Sequence, residues 1–335
     1  MIILHLGDTH LGAAPYGSPA LARDMDRAFL WMAKYAVEND VDAVVIAGDL
    51  FDSPTISPDD LQTIVTFGNI LADGPRGKIP ILLIEGNHDS TTRGHTTARY
   101  GKTFSEVIPG IVSCPRNDEG VVSLTLRDML GVEDFIRFGL INNQSGPVVK
   151  EILDLIPEGV YDVLVIHQSV EGAVPDVASP ELMVESIKGK CRYAALGDIH
   201  KQWQIKSGGT TMAYPGPSSW IRSSEVGHEG GLLVEITKTG PVKLMPVISP
   251  GREVFEIEVS VDEADKIKVT GMGELMSAME QQSDGSGEEM ISFGTKGDSV
   301  TIPWGRVSKK HNWEIDPETE FFVKIQYSGG ARSED

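Results

Sequence analysis

Short apolar runs alternate with helix-length amphipathic stretches through the first part of this chain. Ile2–Leu6, the valine-rich Ala43–Ala47 and Pro80–Ile84 are nearly unbroken apolar segments. Between the first two, Leu21, Met25, Ala28, Phe29, Met32 and Ala36 recur at spacings of three and four, which marks one face of a helix. Between the second and third, Leu61, Ile64, Val65 and Leu71 mark another helix, introduced by Ser57-Pro58 and two aspartates. Strands joined by helices of this length need parallel crossovers, so the chain is constrained to an α/β fold whose sheet is covered on both faces. Val163–Ile166 and Tyr193–Leu196 continue in the same style, and the alternating segments Phe135–Leu140 and Leu232–Ile236 suit a mixed sheet.

The pattern changes around Pro250-Gly251. Val254–Val259 alternates apolar and acidic residues in the manner of a half-exposed strand, Gln281–Gly287 reads as a polar loop, and Phe321–Tyr327 is one further strand before a loose tail. We therefore expect a large α/β domain over residues 1–250 and a small α+β domain over 251–335. Ile2–Leu6 runs straight into Asp8 without a basic leader or a cleavage site, so it reads as a strand and not as a signal peptide. No apolar run approaches the ~20 residues of a membrane-spanning helix. The two cysteines, Cys114 and Cys191, lie outside any CxxC spacing and read as reduced thiols. The expectation is a cytoplasmic protein with no membrane partner.

The residues just after each strand are more informative than the strands themselves. The five apolar segments lead into Gly7-Asp8-Thr9-His10, Gly48-Asp49-Leu50-Phe51-Asp52, Gly86-Asn87-His88-Asp89, His167-Gln168 and Gly197-Asp198-Ile199-His200. In open α/β sheets the binding crevice lies at the carboxyl ends of the strands, so these clusters are expected to meet at one edge. Carboxylate, imidazole and amide oxygen donors without cysteine suit manganese, iron or zinc. A strand-end carboxylate such as Asp49 can bridge two ions ~3.5–4 Å apart, and such a pair polarises a phosphate and supplies a nucleophilic water. His88 then stands beside the leaving oxygen. Any one of these motifs is weak, since Asp-x-His recurs by chance and Gly-Asn-His-Asp also fits a capped turn. Their shared order and placement carry the reading.

In that order the motifs resemble those of the calcineurin-type metallophosphatases, which have layered mixed sheets flanked by helices. The opening Leu6–Gly12, Gly48–Asp52, Tyr193–Gly197 and Tyr214-Pro215-Gly216-Pro217-Ser218 are most similar to the SbcD/Mre-type DNA-repair nucleases. The resemblance covers roughly residues 1–250. It implies one metal held by Asp8, His10, Asp49 and His200, and a second held by Asp49, Asn87, His167 and residue 198. His88 would protonate the leaving group. The resemblance further implies two divalent ions, manganese foremost with Mg2+, Fe2+ or Zn2+ as alternatives. It also implies 3′–5′ exonuclease and single-strand endonuclease activity, a homodimer, and an SbcC/Rad-type SMC-like ATPase partner. The domain after residue 251 would be a cap that shapes the DNA-binding face.

Two departures stand out. The family pattern has His where this chain has Asp198, and a carboxylate there adds negative charge and prefers harder cations. After Tyr327 only residues 328–335 remain, without the helical extension that relatives commonly use to bind the ATPase, so either the partner docks elsewhere or this is a compact or shortened form. We also expect the Asp52 carboxylate to orient His88, as carboxylates do for imidazoles in metal sites.

The formal net charge of −20 argues against long-range attraction to nucleic acid. Two bound cations and the segment Thr91–Lys102, with Arg93, Arg99 and Lys102, could offset it locally. The leading expectation is a metal-dependent DNA nuclease of DNA repair or recombination. The alternatives are a small-substrate phosphatase or cyclic-nucleotide phosphodiesterase, and a catalytically silent scaffold in a DNA-processing complex. Tyr16, Trp31, Trp203 and Trp220 read as packing residues, with Trp220 alone also a candidate for a place near DNA.

Overall fold

β1 (Ile2–Leu6), β2 (Ala43–Ala47), β3 (Ile81–Ile84) and β4 (Ile111–Ser113) pair in parallel, as the helical crossovers require. The computed structural model describes residues 1–74, 77–89, 104, 106–114, 121–125, 136–173, 180–222, 225 and 229–250, and five strands beyond residue 250. The crossovers are α1 (Pro19–Glu38) and α2 (Pro58–Ala72), both placed where the spacing predicts. Ser18 and Ser57 cap them from the side chain, and Asp60 completes a capping box with Ser57.

A second sheet is built from β5 (Val122–Thr125), β6 (Arg137–Ile141), β7 (Tyr161–His167), β8 (Cys191–Gly197), β9 (Trp203–Ser207) and β10 (Thr210–Tyr214). Its order is β5-β6-β7-β8-β10-β9, with antiparallel strands at both edges. α3 (Gly146–Leu155) and the short α4 (Val184–Ile187) cross between its strands. The chain then returns to the first sheet, where β11 (Gly230–Glu235) pairs antiparallel with β1 and β12 (Lys243–Ile248) closes the edge.

The period of two along each strand sorts side chains into layers. From β1 and β2, Leu4, Leu6, Val44 and Ile46 pack with Phe29 and Phe67 of the helices. Ile3 and Val45 point the other way, into a core shared with Phe138, Val163 and Tyr193 of the second sheet. Leu164 and Ile166 in turn face Val149 and Leu153 of α3. The layers therefore run helix, sheet, sheet, helix. Both faces of each sheet are covered, as the sequence pattern predicts, one by helices and the other by the partner sheet.

The sheet-to-sheet core contains one imidazole. His5 is fully buried, its Nδ1 is 2.7 Å from the Tyr193 hydroxyl, and burial pushes it down to about 3, so it stays neutral. No described helix is long and apolar enough to cross a membrane.

The chain divides into two compact units, Met1–Ser249 and Pro250–Asp335. In the second, β13 (Val254–Val261) pairs with β14 (Ile267–Thr270) and β17 (Phe322–Ser328), while β15 (Glu289–Thr295) and β16 (Asp298–Trp304) form a hairpin. Beyond Pro250 its described residues are all strand. Gln281–Gly287 and residues 329–335 lie outside the described residues, as does Phe135.

The contact between α1 and α2 rests on Phe29 and Phe67, whose rings stack with centroids 4.1 Å apart. Phe67→Ala should destabilise the first unit by about 3–5 kcal/mol, the usual cost of a buried Phe-to-Ala cavity. Urea unfolding followed by far-UV circular dichroism measures this, and a loss below ~1 kcal/mol would show that the two helices close around the gap.

Candidate metal centre

The carboxyl ends of β1, β2, β3, β7 and β8 converge, and the backbone there is held in place before any side chain acts. Pairing of β1 with β2 continues past the strands: Asp8 N–H donates to Gly48, His10 N–H to Asp49 and Leu11 N–H to Leu50, at 2.9–3.1 Å, and Asp52 N–H returns to Leu11 at 3.0 Å. The buried Asp89 carboxylate ties the β3 loop to the β2 loop, accepting from Leu50 (3.2 Å), Phe51 (3.0 Å) and Gly86 (2.9 Å) N–H groups. Burial foremost, then the charge of Asp49, raises the Asp89 carboxyl above its ordinary range.

This bracing holds Asp8, His10, Asp49 and Asp198 at φ of 51°, 44°, 49° and 102°. Few non-glycine residues adopt such angles, and they persist where the surroundings over-determine them, as at active sites. Three glycines are required by space: a Cβ on Gly48 would fall 2.4 Å from His167 Nδ1, and Gly86 and Gly197 are equally confined. A Cβ on Gly86 would overlap the Asp49 carboxylate, and one on Gly197 would overlap the Ala47 carbonyl and come within 2.7 Å of His167 Nδ1.

The side chains form one continuous cluster. His10 Nε2 and His200 Nε2 are 3.1 Å apart. The Asp49 Oδ2 atom lies 3.7 Å from His10 Nε2 and 3.4 Å from His167 Nε2, between the two imidazoles. Asn87 Oδ1 is 2.9 Å from His167 Nε2, and Asp198 Oδ1 is 3.8 Å from it. The Asp198 N–H donates to Asp8 Oδ1 at 2.9 Å, joining the β8 loop to the β1 loop. Asp8, His10 and His200 offer atoms within 4.8 Å of one another, as do Asp8, Asp49 and His167, and also His10, Asp52 and His88.

His167 meets an acceptor at each nitrogen, since Nδ1–H donates to the Ala47 carbonyl at 2.8 Å and Nε2 faces Asn87 Oδ1. Burial lowers an imidazole, but here Asp49, then Asp8 and Asp198, outweigh it and lift His167 to about 10. Asp49 responds in the opposite sense: burial raises it, yet His167 and then His10 hold it near 2. Asp198 is pushed up to about 6, chiefly by burial, with His167 opposing and Asp8 adding to the rise.

The donor set fits divalent cations. Asp8 Oδ2 is buried with no hydrogen-bond partner among the described residues, and a buried carboxylate oxygen left so needs a partner. Asp8, His10 and His200 form one group of candidate ligands and Asp8, Asp49 and His167 another, with Asn87 and Asp198 close to His167 Nε2.

His88 is half-exposed beside this cluster. Its N–H donates to Asp49 Oδ1 (2.8 Å), and its ring Nδ1 is 3.0 Å from the Asp52 backbone carbonyl. The Asp52 carboxylate is nearer His10 Nδ1 (3.3 Å) than His88 Nδ1 (3.8 Å), so Asp52 reaches His88 through its main chain and His10 through its side chain. Trp220 is only 3% exposed and packs in the interior, in keeping with its reading as a packing residue and against the alternative of a place near DNA. The basic segment Thr91–Lys102 lies outside the described residues.

Three groups support the site. Asp89 clamps two loops, Glu225 accepts from His200 Nδ1 at 2.9 Å, and the Tyr214 hydroxyl donates to the Gln168 carbonyl (2.6 Å) while accepting from Val170 N–H (2.9 Å), fixing the loop after His167. Asp89 stands in the Gly86-Asn87-His88-Asp89 motif and Tyr214 in the Tyr214-Pro215-Gly216 string, whereas Glu225 carries no motif signal.

The chain matches the model of the calcineurin-like phosphoesterase family over residues 1–188. It is 33% identical over 224 residues to the DNA double-strand break repair protein Mre11 of Archaeoglobus fulgidus, covering 64% of this chain and 49% of that protein. Against the protein of the same name from Methanosarcina mazei it is 28% identical over 314 residues, 90% of this chain and 46% of the relative. Against that of Aeropyrum pernix it is 29% identical over 276 residues, 79% and 65% respectively. The chain thus spans about half the length of the first two relatives.

A proton on His167 occupies the lone pair a metal needs. Because its folded value is raised from 6.5 to about 10, the stability it contributes is complete below pH 6.5 and is lost as pH rises to about 10. Adding Mn2+ to chelator-stripped protein at pH 8 should therefore release about one proton on account of this site. A pH indicator in weak buffer measures the release, and His167→Gln should remove it; equal release from the variant would place the proton elsewhere.

Proposed function

Because this chain belongs to the calcineurin-like phosphoesterase family, we propose that it is a two-metal DNA nuclease that hydrolyses phosphodiester bonds in DNA repair. The observation that carries the reading is the single Asp49 oxygen set between His10 and His167, beside the orphaned Asp8 Oδ2. Asp8, His10, Asp49 and His200 hold one cation; Asp49, Asn87, His167 and Asp198 hold the other. Bound there, the ions supply Lewis-acid charge to the phosphate and acidify a water. Manganese is the metal we expect.

The remaining work falls to the protein. Asp49 has two tasks: its Oδ2, set between the His10 and His167 imidazoles, would help to hold the cations, and its Oδ1 holds the His88 main chain. His88 delivers a proton to the leaving oxygen from Nε2, with Nδ1 held at the Asp52 carbonyl. The Asp52 carboxylate steadies His10 from the side away from Asp49.

DNA as substrate is supported by the relatives named as double-strand break repair proteins. We extend the proposal to 3′–5′ exonuclease and single-strand endonuclease action, a homodimer, an SMC-like ATPase partner, an intracellular site of action, and a cap role for residues 251–335. A small-ester phosphodiesterase is the second reading, favoured by the net charge of −20, which repels a polyanion.

One assay separates these. Protein with Mn2+ is offered end-labelled duplex DNA, single-stranded DNA and a chromogenic phosphodiester. Shortening of DNA supports the nuclease, cleavage of the small ester alone supports the second reading, and silence on all three, with the ATPase added, leaves a scaffold. His88→Ala should lower kcat by about 10²–10⁴ with metal content unchanged. Asp198→His, which exchanges a carboxylate for the imidazole of the family pattern, should shift metal preference toward zinc; identical titration curves would remove Asp198 from the ligand set.

A further inference from the structure

Of the three candidate imidazole ligands, His10, His167 and His200, the last is the most exposed, with 23% of its side chain reached by solvent. Nothing in its own strand settles which nitrogen faces the metal position. Glu225 does. Its Oε1 accepts from His200 Nδ1 at 2.9 Å, so the proton sits on Nδ1 and the lone pair of Nε2 points toward His10 Nε2, 3.1 Å away. Two ring nitrogens at that separation have use only if they share a proton or face a common cation.

Glu225 is itself held. Its second oxygen, Oε2, accepts from the N–H groups of Ile221 (2.8 Å) and Arg222 (3.1 Å), and its own N–H donates to the Arg222 carbonyl at 2.9 Å. The carboxylate is buried and its position comes from main-chain amides, independent of His200. The approach to this turn is buried too: Pro215–Trp220 is inside the fold, and the Pro217 carbonyl accepts from Gly230 N–H of β11 at 2.7 Å. The first sheet thereby anchors a loop whose far end reaches the ligand on the second.

We propose that Glu225 is a positioning residue for the metal site formed by Asp8, His10, Asp49 and His200, fixing the tautomer and angle of His200 so that Nε2 is presented before any cation arrives. The proposal rests on the two-metal reading. Carboxylates that orient metal-bound imidazoles typically govern 10–100-fold in metal affinity, and the effect here is confined to one of the two positions.

Calorimetric titration of chelator-stripped protein with Mn2+ tests this, with thermal melts to confirm folding. Wild type should bind two ions. Glu225→Gln, which keeps an acceptor for the amides and loses the charge, should leave one ion at its original affinity and weaken the other about 10-fold, and Glu225→Ala about 100-fold. A second measurement needs no variant: long-range 1H–15N NMR of Zn2+-loaded wild type should find His200 protonated at Nδ1. Unchanged affinities in a folded Glu225→Gln protein, or a His200 proton on Nε2, overturns the role of Glu225 while leaving the two-metal reading intact. A wild type that binds no ion overturns both.

Discussion

Four main-chain hydrogen bonds that carry the pairing of β1 with β2 beyond the strands determine where the acidic and imidazole groups can go. They hold Asp8, His10 and Asp49 in left-handed conformations. Residues at such angles would relax in an unbraced loop. With the loops joined, and Asp89 binding a third to them, the Asp49 carboxylate has no choice but to lie between two histidines. The β8 loop joins through the Asp198 N–H on Asp8, so both sheets contribute to one rigid edge.

That edge gathers buried negative charge. Asp8, Asp49 and Asp89 are each at most 2% exposed, and burying carboxylates without compensation is costly. Compensation comes in two forms. Asp89 is satisfied by main-chain amides, whereas Asp49 leans on the His167 and His10 imidazoles and Asp8 retains an oxygen without a partner among the described residues. The first arrangement is complete in the protein alone, whereas the second leaves an Asp8 oxygen for which the proposed cations would be the partner. The distinction separates the carboxylate that builds the site from those that work in it.

Much of this is legible in the chain. Apolar runs, helical stripes and the Ser-Pro starts locate β1–β3, α1 and α2 closely, and a glycine-acid-histidine cluster after most of the five strands points to the converging edge. The covering of one sheet by the other is not legible, because an apolar strand reads the same whether a helix or a sheet lies against it. Nor is Glu225, which stands 25 residues from its partner His200 in an unremarkable acidic background. At Asp52 the structure adds contacts that sequence adjacency to Asp49 does not suggest. Adjacency in sequence suggests a carboxylate behind His88, while the backbone path presents its carbonyl there and turns the side chain to His10.

The central claim is that these loops enclose two adjacent cation positions sharing Asp49. Anomalous diffraction from crystals soaked in Mn2+, recorded near the manganese edge, tests it directly. Two peaks should appear about 3.5–4 Å apart, one contacting Asp8, His10 and His200, the other Asn87 and His167, with Asp49 touching both. A single peak, or peaks that leave Asp49 uncoordinated, would contradict it.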